Sequence, residues 1–78
     1  MDFPMDASRL RVLRAVKLLG FSYVRKGKHI ILHRKNADGS KTPLTLPNHS
    51  RIRGSTLRII CKEVGISRND FLRAYQNV

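Results

Sequence analysis

The chain has 78 residues, of which 41% are hydrophobic, and it contains no tryptophan. A chain this short buries only about 60% of its unfolded surface, which excludes two independent cores and predicts a single domain over residues 1–78. Sixteen Lys and Arg residues against five Asp and Glu give a formal charge of +11, which favours a polyanionic partner, with nucleic acid as the first candidate.

The sequence has no feature of a membrane or secreted protein. No apolar run reaches the roughly 18 residues that a membrane-spanning helix requires, and the first residues, MDFPMD, lack the basic-then-apolar order of a signal peptide. The single cysteine, Cys61, excludes an internal disulfide and lies in an apolar helical pattern typical of a buried structural thiol. We therefore expect a cytoplasmic protein without membrane association, with residues 1–7 as a flexible tail.

The first predicted helix follows this tail and runs from about Arg9 to Leu19. Ser8 is its expected N-cap, and Gly20 is its left-handed terminating residue. One face is apolar at about 100° per residue, and it comprises Val12, Leu13, Ala15, Val16 and Leu19. The opposite face carries three cations, Arg11, Arg14 and Lys17. These cations either form a solvated surface or contact an RNA backbone.

Three short segments rich in β-branched, aromatic and aliphatic residues come next, FSYVRK, HIILHR and TPLTLP. Turn signals separate them, first Lys26-Gly27 and then KNADGSK with its Asp38-Gly39 pair, so the segments predict an antiparallel meander. Alternation places four apolar residues on the face that meets the helices, namely Ile30, Leu32, Leu44 and Leu46. The opposite face then carries His29, Ile31 and His33.

Pro47 ends the third strand, and NHSRIR follows as a loop. A second helix is expected from Ser55 or Thr56 to Val64, ended by Gly65, with its apolar positions at Leu57, Ile60, Cys61 and Val64. Ser67 caps a last short helix that carries Phe71, Leu72 and Tyr75. This order predicts an α+β fold: a two-layer sandwich with an antiparallel three-stranded sheet, helices on one face and a short C-terminal helix.

The spacing of ionisable residues argues against a metal centre and against a serine hydrolase. The sequence contains no HxxxH, CxxC or paired-carboxylate spacing, so we expect no metal and no cofactor. It also contains no nucleophile elbow and no P-loop. A cation-rich site without a metal can still cleave RNA, because the ribose 2′-hydroxyl is a built-in nucleophile. Such cleavage needs a general base or acid, donors to the phosphorane oxygens and in-line geometry.

The stretch YVRKGKHIILHRK supplies these groups. His29 is suited to proton transfer near neutral pH. Its cationic neighbours Arg25, Lys26 and Lys28 can stabilise phosphate charge, and Gly27 lets the backbone approach a phosphate closely. From the residues alone, an exposed strand histidine among lysines more often has no function beyond that of a surface residue.

Two long segments, LLGFSYVRKGKHIILHRK and TPLTLPNHSRIRGSTLRIICKEVGISRNDFL, resemble the HicA (YcfA-like) toxins of prokaryotic toxin–antitoxin systems. The landmarks follow the family's order: Gly20-Phe21, Gly-x-His at residues 27–29, Pro-x-His at residues 47–49, and TLRIICKEVGIS in the second helix. Two positions depart from the family pattern, with Lys28 in place of a frequent Ser and Ser55 in place of a frequent Gly.

This resemblance implies a double-stranded-RNA-binding-domain-like α-β-β-β-α fold and a metal-independent endoribonuclease that cleaves mRNA and arrests translation. It assigns the catalytic role to His29, and it implies a HicB antitoxin that blocks the active site and that we expect to be acidic at the interface. His49 is expected to organise its loop or contact RNA, with a part in catalysis left open. His33 lies about 13 Å along the strand from His29, too far to share a phosphate.

Two other functions remain open. The first is a non-catalytic RNA-binding module of the same fold, which recognises A-form shape through 2′-hydroxyl and phosphate contacts. The second is a basic adaptor that works through protein contacts alone, and it leaves the Gly-Lys-His turn unexplained.

Overall fold

The computed structural model describes residues 2–78, which form three helices and five strands. The elements are β1 Asp6–Ser8, α1 Arg9–Leu18, β2 Ser22–Lys26, β3 His29–Lys35, β4 Lys41–Pro47, β5 Arg51–Arg53, α2 Gly54–Val64 and α3 Arg68–Gln76. The predicted α+β architecture is confirmed, since α1, the meander β2-β3-β4 and α2 follow the α-β-β-β-α order of a double-stranded-RNA-binding domain.

The three-stranded sheet has the order β2-β3-β4, and neighbouring strands are antiparallel. Its inner face carries four apolar side chains that are at most 1% exposed, Ile30, Leu32, Leu44 and Leu46. Ile30 lies opposite Leu46 and Leu32 opposite Leu44, so the predicted alternation of β3 and β4 is confirmed. The other side of the sheet, here called the outer face, carries His29, Ile31 and His33.

The three helices pack against the inner face and one another and complete one apolar core. Their buried residues are Val12, Ala15 and Val16 in α1, Leu57, Ile60, Cys61 and Val64 in α2, and Phe71, Leu72 and Ala74 in α3. Burying each large apolar side chain contributes about 1.5–3 kcal/mol relative to leaving it in water. The helical periodicity in the sequence therefore identified the core-facing sides of α1 and α2.

Most helix ends are where the sequence places them. α2 ends at Gly65 in the left-handed region, and the Ile66 amide donates to the Cys61 carbonyl at 2.8 Å. At the start of α3, the Ser67 hydroxyl accepts from the Asp70 amide at 3.1 Å. Ser8 occupies the N-cap position of α1, but its side chain makes no capping hydrogen bond.

The turn between β3 and β4 has the predicted Asp-Gly chemistry. Asp38 accepts hydrogen bonds from the hydroxyl and the amide of Ser40, and these bonds lower the pKa of the Asp38 carboxyl. Gly39 has φ of 89°, a conformation that favours glycine. The sequence signal and the turn geometry therefore agree.

The N-terminal segment differs from the predicted flexible tail over residues 1–7, of which Met1 lies outside the described residues. Asp6 and Ala7 belong to β1, which pairs with β5, and β5 lies in the segment predicted as a loop. Ala7 lies opposite Ile52, and both side chains are buried. Each strand contributes only one buried residue, too short a pattern to distinguish from a loop, so the pairing that stabilises both strands is visible only in three dimensions.

Gly54 makes a close approach of the N-terminal segment possible. α2 begins at Gly54, one or two residues earlier than predicted, and the Gly54 amide donates to the Met5 carbonyl at 3.1 Å. A Cβ at this position would lie 2.5 Å from the Pro4 carbonyl oxygen. Gly54, which directly precedes Ser55, is therefore required by packing, because it lies against the backbone of the N-terminal segment.

Candidate active site

The hairpin between β2 and β3 carries the candidate residues on a tight turn. Lys26 lies opposite Ile30, and the Gly27 amide donates to the His29 carbonyl at 2.9 Å. Lys28 is therefore at the tip of the turn, and His29 is the first residue of β3. Both the tip and the histidine are exposed to solvent.

A β-bulge in β2 decides which cation joins His29 on the outer face. The register shifts between Tyr23 and Arg25, so that Arg25 lies opposite Ile31. Without this shift Arg25 would lie opposite Ile30, on the inner face. Bulges commonly redirect side chains next to functional sites, and this bulge places Arg25 on the same face of the sheet as the histidine.

Arg25 and His29 are diagonal neighbours across the β2–β3 pair, because His29 precedes Ile31 by two residues. Such neighbours are roughly 7–8 Å apart, a distance that a long guanidinium side chain spans. Lys26 lies opposite Ile30, so alternation assigns its side chain to the other side of the sheet. Arg25 thus shares the outer face of the sheet with His29.

The hairpin surrounds an open concavity of about 350 Å³. Its lining residues are Arg25, Lys26, Gly27, Lys28, His29 and Ile31. Five of these six are residues that the sequence singles out. Within the described part of the chain no carboxylate lines this concavity, so it is positive throughout and attracts anions.

Asn48 connects this turn to the start of α1. Its side-chain amide donates to the Gly27 carbonyl at 2.8 Å, and its carbonyl oxygen accepts from the Arg9 guanidinium at 2.6 Å. Asn48 does not stand out in the sequence, because a single Asn in a loop belongs to no periodic pattern. The only signal near it is the Pro-x-His segment in which it is the middle residue.

A comparison with known families decides the affiliation of this chain. A family model described as the HicA toxin of bacterial toxin–antitoxin systems matches residues 11–66, well over half of the chain. The chain belongs to the HicA toxin family. The matched region contains the hairpin, the bulge and the Asn48 loop, and membership implies an antitoxin partner for this toxin. A search of curated proteins finds no match.

The other predicted contacts of the toxin lie outside the concavity. His49 is exposed in the connection between β4 and β5, and Arg14 and Lys17 are exposed on α1. Arg11 is half-buried, since its guanidinium stacks 4.0 Å from the Tyr75 ring centre and donates to the Tyr75 carbonyl at 3.1 Å. Arg11 therefore joins α1 to α3, a structural role that the sequence pattern did not show.

The remaining reactive side chains are not part of the site. His33 is half-buried on the outer face, and its Nδ1 is buried without a hydrogen-bond partner among residues 2–78. Cys61 is buried as predicted, and desolvation raises the pKa of its thiol to about 11, so it is a neutral packing residue at physiological pH.

Two larger features are absent from residues 2–78. No group of three or more His, Cys, Asp or Glu side chains there lies together in a way that could hold a metal ion. Among the helices described, none has the length and apolar character needed to cross a membrane.

Proposed function

We propose that this HicA-family toxin is a metal-independent endoribonuclease that cleaves mRNA and thereby inhibits translation, with His29 as its general base or acid. The observation that carries the proposal is the bulged hairpin, in which an exposed histidine and three cations, Arg25, Lys26 and Lys28, border one concavity without a carboxylate. A substrate of this kind would place the reaction in the cytoplasm of a prokaryotic cell.

In the base role, His29 accepts the proton of the ribose 2′-hydroxyl as that oxygen attacks the adjacent phosphorus. The bond from phosphorus to the 2′-oxygen forms, the bond to the 5′-oxygen breaks, and the departing 5′-oxygen takes a proton from water. The products are a 2′,3′-cyclic phosphate and a 5′-hydroxyl. Arg25 and Lys28 stabilise the negative charge of the pentacoordinate phosphorus, which water alone would otherwise solvate in this exposed site.

His29→Ala tests the catalytic assignment, and His33→Ala is its matched control. Both residues lie on the outer face of β3, but His33 does not line the concavity. We expect His29→Ala to lose roughly 10²-fold or more of the cleavage rate while RNA binding largely persists. We expect His33→Ala to cleave RNA at the wild-type rate. Its thermal midpoint, compared with that of the wild type, shows whether the variant is folded.

The assay is single-turnover cleavage of end-labelled RNA, with analysis of the product ends and a parallel reaction in EDTA. Equal cleavage by His29→Ala and the wild type would refute the role of His29. Loss of cleavage in EDTA would refute the metal-independent mechanism.

A non-catalytic RNA-binding module is the second candidate, and the exposed cations of α1, Arg14 and Lys17, favour it. RNA bound without new product ends would support this alternative. A third reading, binding through protein contacts alone, predicts that affinity for RNA does not change with salt, whereas phosphate contacts predict a steep fall.

We also propose that the antitoxin is HicB-like and acidic where it meets the concavity. The charge of +11 repels basic surfaces and accelerates encounter with acidic ones. Charge reversal at Arg25 should slow association with the antitoxin and weaken its salt dependence, which stopped-flow mixing at several ionic strengths measures.

A further inference from the structure

We propose that Asn48 is a positioning residue, which holds the turn before His29 and joins the Pro-x-His segment to the Gly-x-His segment. Its effect on cleavage rests on the proposed endoribonuclease function. Its effect on the order of the turn does not, so the two can be tested separately.

The amide of Asn48 bridges two elements that do not otherwise share a hydrogen bond in the described structure. It donates to the Gly27 carbonyl at 2.8 Å and accepts from the Arg9 guanidinium at 2.6 Å. Arg9 also fixes the same loop through its backbone, since its amide donates to the Ser50 carbonyl at 3.1 Å. The first residue of α1 and the catalytic turn are therefore connected through one side chain.

The turn needs this support because β2 lies at the edge of the sheet and all five of its residues are exposed. Within the turn, the Gly27 amide bonds the His29 carbonyl, a contact that closes the turn but does not anchor it. Asn48 supplies the anchor from the other side, since it directly follows Pro47, the residue opposite His29 in the β3–β4 pair. Pro47 thus pairs with His29 itself, and Asn48 bonds the turn that precedes it.

Asparagine suits this position because both ends of its side chain are used. A side-chain carbonyl accepts and an amide nitrogen donates, whereas an ionised carboxylate can only accept. Asn48→Asp therefore keeps the acceptor for Arg9, in a charge-assisted form, and loses the donor to Gly27. Asn48→Ala loses both contacts.

The consequence for catalysis follows from the geometric tolerance of proton transfer. A misplacement of about 1 Å costs up to about 10²-fold in rate, so a loosened turn should lower kcat more than it changes KM. The asymmetry of the two variants separates positioning from stability, because Asn48→Asp retains the contact with α1.

The experiment compares Asn48→Asp with Ser50→Asp, which adds the same charge to the same loop at an exposed side chain. Amide hydrogen exchange at Gly27, thermal midpoint, and kcat and KM for RNA cleavage are measured for each. For Asn48→Asp we expect faster Gly27 exchange and a loss of about 10-fold or more in kcat, with a thermal midpoint near that of the wild type. Ser50→Asp should retain Gly27 protection and kcat.

Wild-type exchange at Gly27 in both Asn48→Asp and Asn48→Ala would overturn the positioning role. An equal loss of kcat in Ser50→Asp would overturn it as well, because charge alone would then explain the effect. If the wild-type protein cleaves no RNA, the proposed function fails, and Gly27 exchange still tests Asn48.

Discussion

Gly27 provides a test in which stability and activity should move in opposite directions. Its φ is not positive, and a Cβ added there would meet no atom within 4 Å. Neither the backbone conformation nor the packing of the toxin therefore requires a glycine at this turn. We expect the missing side chain of Gly27 to matter for the substrate instead, because it lets an RNA phosphate approach the backbone closely.

Gly27→Ala should consequently be more stable than the wild type and less active. Alanine restricts the unfolded chain, and at a compatible site this stabilises a protein by about 0.4–1 kcal/mol, or roughly 2–8 °C in thermal midpoint for a domain of this size. A methyl group that displaces the substrate by about 1 Å should lower cleavage by up to about 10²-fold, equivalent to about 2.7 kcal/mol in the barrier.

Thermal unfolding followed by circular dichroism measures the first effect, and single-turnover RNA cleavage measures the second. Gly39→Ala is the matched control, since its Cβ would also meet open space but its φ of 89° strains any other residue. That variant should be less stable and, when folded, fully active. A Gly27→Ala protein that is stabilised and cleaves at the wild-type rate would refute substrate contact at the turn.

Three further predictions follow from packing, charge and burial. Gly54→Ala should lower stability by about 1–3 kcal/mol, because its Cβ would lie 2.5 Å from a backbone oxygen; an unchanged denaturation midpoint would contradict the observed approach of the N-terminal segment. Arg11→Ala should lower the free energy of unfolding by about 2 kcal/mol, because it loses the contacts with the ring and the carbonyl of Tyr75. Arg14→Ala should leave stability unchanged and weaken RNA binding in low salt. The reverse pattern would refute these roles. The pKa of Cys61 rises from 9.0 to about 11 on folding, so the stability it contributes is complete below pH 9 and is lost as the pH rises towards 11. Cys61→Ala should flatten that part of the denaturation profile relative to the wild type.

Much of the fold could be predicted from local patterns. The period of 3.6 in α1 and α2 and the alternation in β3 and β4 identify the buried side chains, because each element must place its apolar residues on one side to exclude water. Gly65 and Ser67 marked helix ends through their own backbone chemistry, which depends on few neighbours. The hairpin turn with Lys28 and His29 was predictable for the same reason.

The candidate site was predictable as a stretch of sequence but not as an arrangement. The residues from Arg25 to His29 are contiguous, so their convergence around one concavity needs only a hairpin. Which of the cations shares a face with His29 depends on the bulge, and a bulge is set by cross-strand pairing rather than by the residues of β2 alone. The support from Asn48 comes from 21 residues further along the chain.

The sequence by itself determined the class of fold, the composition of the core and the residues of the cationic turn, because these depend on hydrophobic period and on contacts between near neighbours. Only the tertiary structure decided that the N-terminal segment pairs with β5, that Arg11 binds α3, and that Arg25 joins His29 on the outer face. Those features depend on contacts between single residues and on the cross-strand register, which no repeating pattern in the sequence predicts and which the packing of the backbones selects.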